Sequence, residues 1–229
     1  MEDWYRGSAF RKLPQTAYPV GMPVAVLALA AAALVSQPNL AKLVLKPSAV
    51  GSGYVLVQRS DGKGTAQRTL DLCGTKNYPS ETLRTGRLQV DYLKQSAKLA
   101  LSNEVVTYAA GGAAKAMHEV AQHAATCPAK PIAFEGQPPL RYKVTRITDS
   151  KLLPGSVALR IDVSGKISGK PVSAIRFAIY QRLRNVLSGV YSYADSSVSG
   201  AAQERFVLHA AEASAKALHS TGTAGGLPA

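Results

Sequence analysis

The sequence predicts an α+β domain: a largely antiparallel β-sheet with two main helices packed on it and one disulfide. Several segments alternate apolar and polar residues with the period of a strand. Two Ala-rich stretches carry apolar stripes at helical spacing. Short connections join most of the strands, which favours antiparallel neighbours over parallel ones.

Taken along the chain, residues 37–50 (QPNLAKLVLKPSAV) read as a linker whose Leu43, Val44 and Leu45 make the first buried contact. YVLVQ (54–58) is a short strand. RLQVDYL places Leu88, Val90 and Tyr92 on one face and Arg87, Gln89 and Asp91 on the other. KLALSNEVVTY (98–108) is apolar on both faces, as a central strand is. The Gly111-Gly112 pair then opens a helix with Ala113, Ala116, Met117, Val120, Ala121 and Ala124 on one stripe, ending before Pro128.

After a Pro-rich loop come RYKVTRIT and VALRIDVSG. The second alternates cleanly, with Val157, Leu159, Ile161 and Val163 inward and Ala158, Arg160 and Asp162 outward. SAIRFAIYQR sets Ile175, Phe177 and Ile179 against Arg176 and Tyr180, and a turn at Arg184-Asn185 leads into VLSGVYSY. A last helix, about 200–219, carries Phe206, Val207, Ala210, Ala211, Ser214, Ala217 and Leu218. The domain is thus expected over 51–219, with a loose Gly/Pro-rich tail over 220–229.

The N-terminus predicts export. Residues 1–19 hold Arg6, Arg11 and Lys12, and the unbroken apolar run AVLALAAAALV follows. As a helix the 20–36 segment is about 25 Å long, short for a spanning helix of about 20 residues. It suits a signal peptide or a signal anchor, which if uncleaved ties the chain to the membrane. No cysteine follows closely, which excludes a bacterial lipoprotein anchor. Basic residues before the run place residues 37 onward outside. In that compartment an even cysteine pair, Cys73 and Cys127, reads as a structural disulfide.

The chain has 27 Lys+Arg against 14 Asp+Glu, a formal net charge of +13, of which residues 1–36 carry little. In an exported domain this basicity serves solubility or anionic envelope partners, lipid or wall polymer, rather than nucleic acid.

No catalytic or metal motif is present. HEVAQH puts His118 and His123 five residues apart, about 140° around a helix at about 100° per residue, so they cannot grip one metal. GSGY (51–54) precedes a strand instead of following one. No cofactor is implied.

Polar interruptions mark the candidate site. Asn103 and Glu104 break the apolar central strand. They either form a hydrogen-bonded or salt-bridged pair that holds neighbouring strands, or line a ligand cleft. If both helices cover one face of the sheet, the open face presents Arg160, Arg176 and Tyr180, with Arg182 nearby.

TLDLCG…YPSE, LSNEVVTYAAGGAAKAMHEV…ATCP, LLPGSVALRIDVSG, VLSGVYSY and the closing AAEASAKAL together resemble a known family. It is the sensor-type extracytoplasmic domain of actinobacterial envelope proteins, which includes outer domains of mycobacterial serine/threonine kinases. The resemblance covers about residues 44–219. It implies an α+β domain with a cleft, an extracytoplasmic location, and sensing of a small molecule, lipid or polymer without catalysis. It differs in the expectation of a stand-alone domain without a kinase, and of one disulfide where the kinase domain has more. It supplies no ligand residues. The expected function is therefore a non-enzymatic, sensor-like ligand-binding domain of the envelope, at Asn103, Glu104, Arg160, Arg176 and Tyr180. The alternative is a protein docking anionic lipid or wall polymer on a basic sheet face.

Overall fold

The computed structural model describes residues 39–62, 68–75, 77–133 and 138–223. The expected n-region and the 20–36 export segment, like residues 224–229 of the tail, lie outside the described residues. Seven strands form a single sheet: β1 (Val55–Gly62), β2 (Arg84–Lys94), β3 (Leu99–Tyr108), β4 (Leu140–Ile147), β5 (Val157–Ile167), β6 (Lys170–Leu183) and β7 (Val186–Ala194). Their order is β1-β2-β3-β7-β6-β5-β4, and every pairing is antiparallel.

This order follows from two meanders that meet in the middle. β1 to β3 run inward from one edge, and β4 to β7 run inward from the other, so β3 and β7 pair at the centre. The chain must therefore travel from the centre to the far edge between β3 and β4. Helix α3 (Gly112–Ala125) makes that crossing and packs against β5, β6 and β7 on the way. Every residue of β3 is buried, as its two-sided apolar sequence predicts.

Two short helices precede the sheet, α1 (Leu40–Leu43) and α2 (Pro47–Val50), and α4 (Gly200–Thr223) closes the chain. The segment expected as a linker is thus part of the folded unit: Leu43, Leu45 and Val50 are buried. Asn39 caps α1 by accepting from the Ala41 N–H at 3.1 Å. The backbone of Leu45 is fixed from both sides, its N–H donating to Asn103 Oδ1 at 2.8 Å and its C=O accepting from Tyr92 Oη at 2.7 Å.

The helices do not share one face. On the first face, Leu88, Val90, Leu101, Val105, Ala158, Phe177, Ile179 and Val190 pack with α1, α2 and the Val207, Ala210, Ala211 and Leu218 stripe of α4. On the second, Val106, Tyr108, Val157, Leu159, Ala178, Tyr180 and Leu187 pack with Ala113, Ala116, Met117 and Val120 of α3. The sequence gives the alternation of β5 and β6 correctly but not how the two strands are matched. Leu159 pairs with Ala178 and Arg160 with Phe177. The inward set of β5 therefore lies on the opposite face from the inward set of β6, and each has its own helix.

The α3 packing is close. Gly111 caps it at φ 77°, a left-handed backbone that suits glycine. At Gly112 a Cβ would lie 2.8 Å from Tyr108 Cβ, so the second glycine lets the helix start touch β3. At the other end Cys127 bonds Cys73, with an S–S distance of 2.07 Å. The bridge ties the 72–74 turn to the end of α3. Glu119, buried on α3, accepts from the Ser80 N–H at 3.2 Å, fixing the 3₁₀ turn Pro79–Leu83.

Candidate functional site

The strand period separates the expected site residues at once. Asn103 and Glu104 are neighbours in β3, so they point to opposite faces. Asn103 lies beneath α4, fully buried. Its amide nitrogen donates to Ser188 Oγ and to the Gly189 carbonyl, both at 3.0 Å, while its oxygen accepts from Leu45. Ser188 in turn meets Ser214 of α4 at 2.7 Å. Asn103 is a clamp joining the N-terminal segment, β3 and β7. Of the two readings open for it, the hydrogen-bonded one matches its surroundings.

Arg160 also leaves the site. It pairs with Phe177 on the α4 face, where its guanidinium binds Asp162 at 2.7 Å. The outer face expected to carry Arg160, Arg176 and Tyr180 together does not exist, because helices pack on both faces and Arg160 belongs to the other one. Tyr180 is buried at 3% exposure under α3, its ring edge-on to Tyr191 at 5.6 Å.

Glu104, Arg176 and Tyr180 do share the α3 face, and around them lies the polar part of the sheet. Glu104 is ion-paired with Arg87 of β2, both side chains being almost fully buried. Burial raises the Glu104 carboxyl to about 7, against the lowering by the Arg87 charge and hydrogen bond. Arg87 also donates to Gln89 Oε1. Gln89 Nε2 donates to Asp91 Oδ1 at 3.0 Å and to Ser102 Oγ at 3.1 Å. The polar side of RLQVDYL is thus one connected hydrogen-bonded row.

The apolar contacts of α3 gather at one end of this face. Further along the strands the sheet is half-buried or exposed, and here β7 places Tyr191 and Tyr193 beside Arg176 of β6. Arg176 Cζ sits 5.7 Å from the Tyr193 ring centroid. Among the described residues its guanidinium makes no hydrogen bond and no ion pair, and the Tyr193 hydroxyl makes no hydrogen bond. Gly189 makes room for this arrangement, because a Cβ there would collide with the Tyr191 ring lying back across it.

Tyr193 is 39% exposed, yet burial pushes its phenol up to about 12, only partly offset by Arg176. Asp71 is exposed, yet burial raises its carboxyl against the charge of Arg176. Asp71 comes from the loop just before the turn that the disulfide holds. Tyr142 of β4 pairs with Val163 of β5, which puts it on the same face of the sheet.

The histidines of the HEVAQH helix are not both solvated. His123 Nε2 meets the Asn77 carbonyl at 3.0 Å, and its ring lies edge-on to Tyr78 at 4.7 Å. Among the described residues no group of three His, Cys, Asp or Glu side chains is placed to hold a metal. A wide, open depression of about 470 Å³ lies beside the disulfide, lined by Cys73, His123, Thr126, Pro128 and Lys130. It contains none of the expected ligand residues, and the Tyr193 cleft has the richer chemistry.

Sequence reasoning missed Asp71, Tyr191 and Tyr193. VYSY carried a signal, two tyrosines with strand spacing, but nothing local says that Arg176 is Tyr193's cross-strand partner.

No family model matches this chain, and no curated protein matches it in sequence. Among solved structures, the chain is similar to the extracellular domain of PknH from Mycobacterium tuberculosis, with a TM-score of 0.49 and 14% sequence identity. The match covers 77% of this chain and 94% of that one, and it concerns the fold alone.

Proposed function

We propose that the chain is an extracytoplasmic, sensor-like domain of the cell envelope that binds a ligand without converting it, in the cleft beside Tyr193. The observation that carries the reading is Tyr193 itself, an exposed aromatic ring on the α3 face of the sheet with the Arg176 guanidinium 5.7 Å from its centroid. Next to it stands Arg176, half-buried and without a hydrogen bond among the described residues. A cleft with a few convergent polar groups is the usual form of a small-ligand site. The export-type segment over 20–36 and the Cys73–Cys127 bridge support the location.

The test is native mass spectrometry of the full chain purified from its own envelope. A retained mass adduct in wild type that is absent in Tyr193→Ala is expected. An adduct of equal occupancy in both proteins would place the ligand elsewhere and overturn the reading.

A further inference from the structure

We propose that the free edge of β1, with the α1–α2 segment beside it, is the surface on which the domain seats against an anionic lipid membrane. The inference shares the extracytoplasmic location with the reading above and goes beyond its ligand site. Among the described residues the exposed large apolar side chains are Tyr193 and three in a row, Val55, Leu56 and Val57, at 59%, 48% and 56% exposure. These three open β1, an edge strand that pairs only with β2. Sheet edges are commonly guarded by charge, and the opposite edge is: β4 exposes Arg141, Lys143 and Arg146. An apolar run left open at an edge marks a contact surface.

The structure joins this run to the start of the domain. Leu56 pairs with Tyr92 of β2, and Tyr92 Oη donates to the Leu45 carbonyl at 2.7 Å. Lys46, which follows Leu45 and precedes α2, is exposed, as is Lys42 in α1. Arg59 is exposed further along β1. Residues 37–60 hold these three cations and no acidic residue, a charge that complements anionic headgroups. What covers the surface follows from the chain that precedes it. The apolar segment ends at Ser36, and Asn39 already caps α1. Three residue steps span at most about 10 Å, so a chain held in the bilayer by residues 20–36 keeps α1 beside the headgroups. Apolar side chains next to Lys and Arg are what an interfacial contact with lipid uses. The contact is shallow, because the outward backbone groups of an edge strand need water or headgroups as partners, and hydrocarbon offers none. It uses neither Tyr193 nor Arg176.

The test uses the full chain reconstituted in vesicles of phosphatidylglycerol and phosphatidylcholine brominated near the headgroup end of the acyl chain, which quenches nearby tryptophan. A Trp4→Phe background removes the one natural tryptophan. Leu56→Trp then reports on the β1 edge, and Thr145→Trp, at an exposed position of β4, on the opposite edge. Emission should be lost at position 56 and kept at position 145. It should return at position 56 when Lys42→Glu and Lys46→Glu are added together. No loss at position 56, or equal loss at both positions, overturns the proposal. A loss that survives the charge reversal overturns the anionic contact. Blue-shifted emission at position 56 without quenching, together with cross-linked dimers, assigns the edge to a second copy of the chain and overturns the lipid surface. The Tyr193 reading is separate from all of these outcomes, since it is tested by the retained adduct.

Discussion

Asn103 and Glu104 are separated by one peptide bond and by the whole thickness of the sheet. Asn103 clamps the α4 side, while Glu104 carries a buried charge toward Arg87 on the other. A carboxyl raised from 4.5 to about 7 in the folded state keeps, between those values, a proton that the unfolded chain has lost. The stability that Glu104 contributes is therefore greatest below about pH 4.5 and is lost as pH rises through about 7. Denaturant midpoints measured from pH 5 to pH 8 should fall more steeply in wild type than in Glu104→Gln. Equal slopes would mean that Glu104 stays ionised throughout. Leu159, with no exposure, is a plainer case. Leu159→Ala should cost about 2–5 kcal/mol in a denaturant melt, because α3 cannot collapse fully onto the cavity. A loss of a few tenths of a kcal/mol would show that the position is not core. Side-chain parity was legible for nearly every strand residue, since it needs only a period of two. The pairing that sets Arg160 against Phe177 was not, because long-range register leaves no local trace.

At the scale of elements, β7 and the disulfide are the parts nearest the proposed site. Tyr191 lies across Gly189 and meets Tyr180 edge-on, next to Tyr193 on the same strand face. Gly189→Ala should lift the Tyr191 ring, reducing ligand retention while leaving far-ultraviolet circular dichroism unchanged. Full retention would remove Tyr191 from the account. The Cys73–Cys127 bridge closes a 54-residue separation. Replacing both cysteines with alanine should lower stability by about 4 kcal/mol in the chain-entropy model and loosen the Asp71 wall. Unchanged thermal unfolding would contradict a structural role for the bridge. The helices were legible from their stripes, and β3 from being apolar on both sides. The crossing of α3 over the face opposite α4 was not. It follows from β4 lying at the far edge of the sheet, a fact of topology that no single segment carries. The contact expected at Leu43, Val44 and Leu45 is present, but the folding of the rest of residues 39–50 was not legible for a related reason: Leu45 is fixed by Asn103 and Tyr92, far along the chain.

For the whole molecule, helices pack on both faces of the sheet, so the described residues offer no wholly open sheet face, and this separates the two functional readings. A docking protein would use its excess positive charge, +13 over the full chain, wherever that charge is exposed. Its binding would weaken with salt, since exposed charges are screened within about 8 Å at physiological ionic strength. A cleft protein depends on particular residues of one face. Arg160 and Arg176, which the sequence suggested as companions, lie on opposite faces and distinguish the two readings. The most direct measurement is the amount of envelope ligand retained by Arg176→Gln and by Arg160→Gln, each washed at low and at high salt. Loss in Arg176→Gln at both salt concentrations and wild-type retention in Arg160→Gln are expected. Equal, salt-sensitive losses in the two variants would contradict the cleft reading.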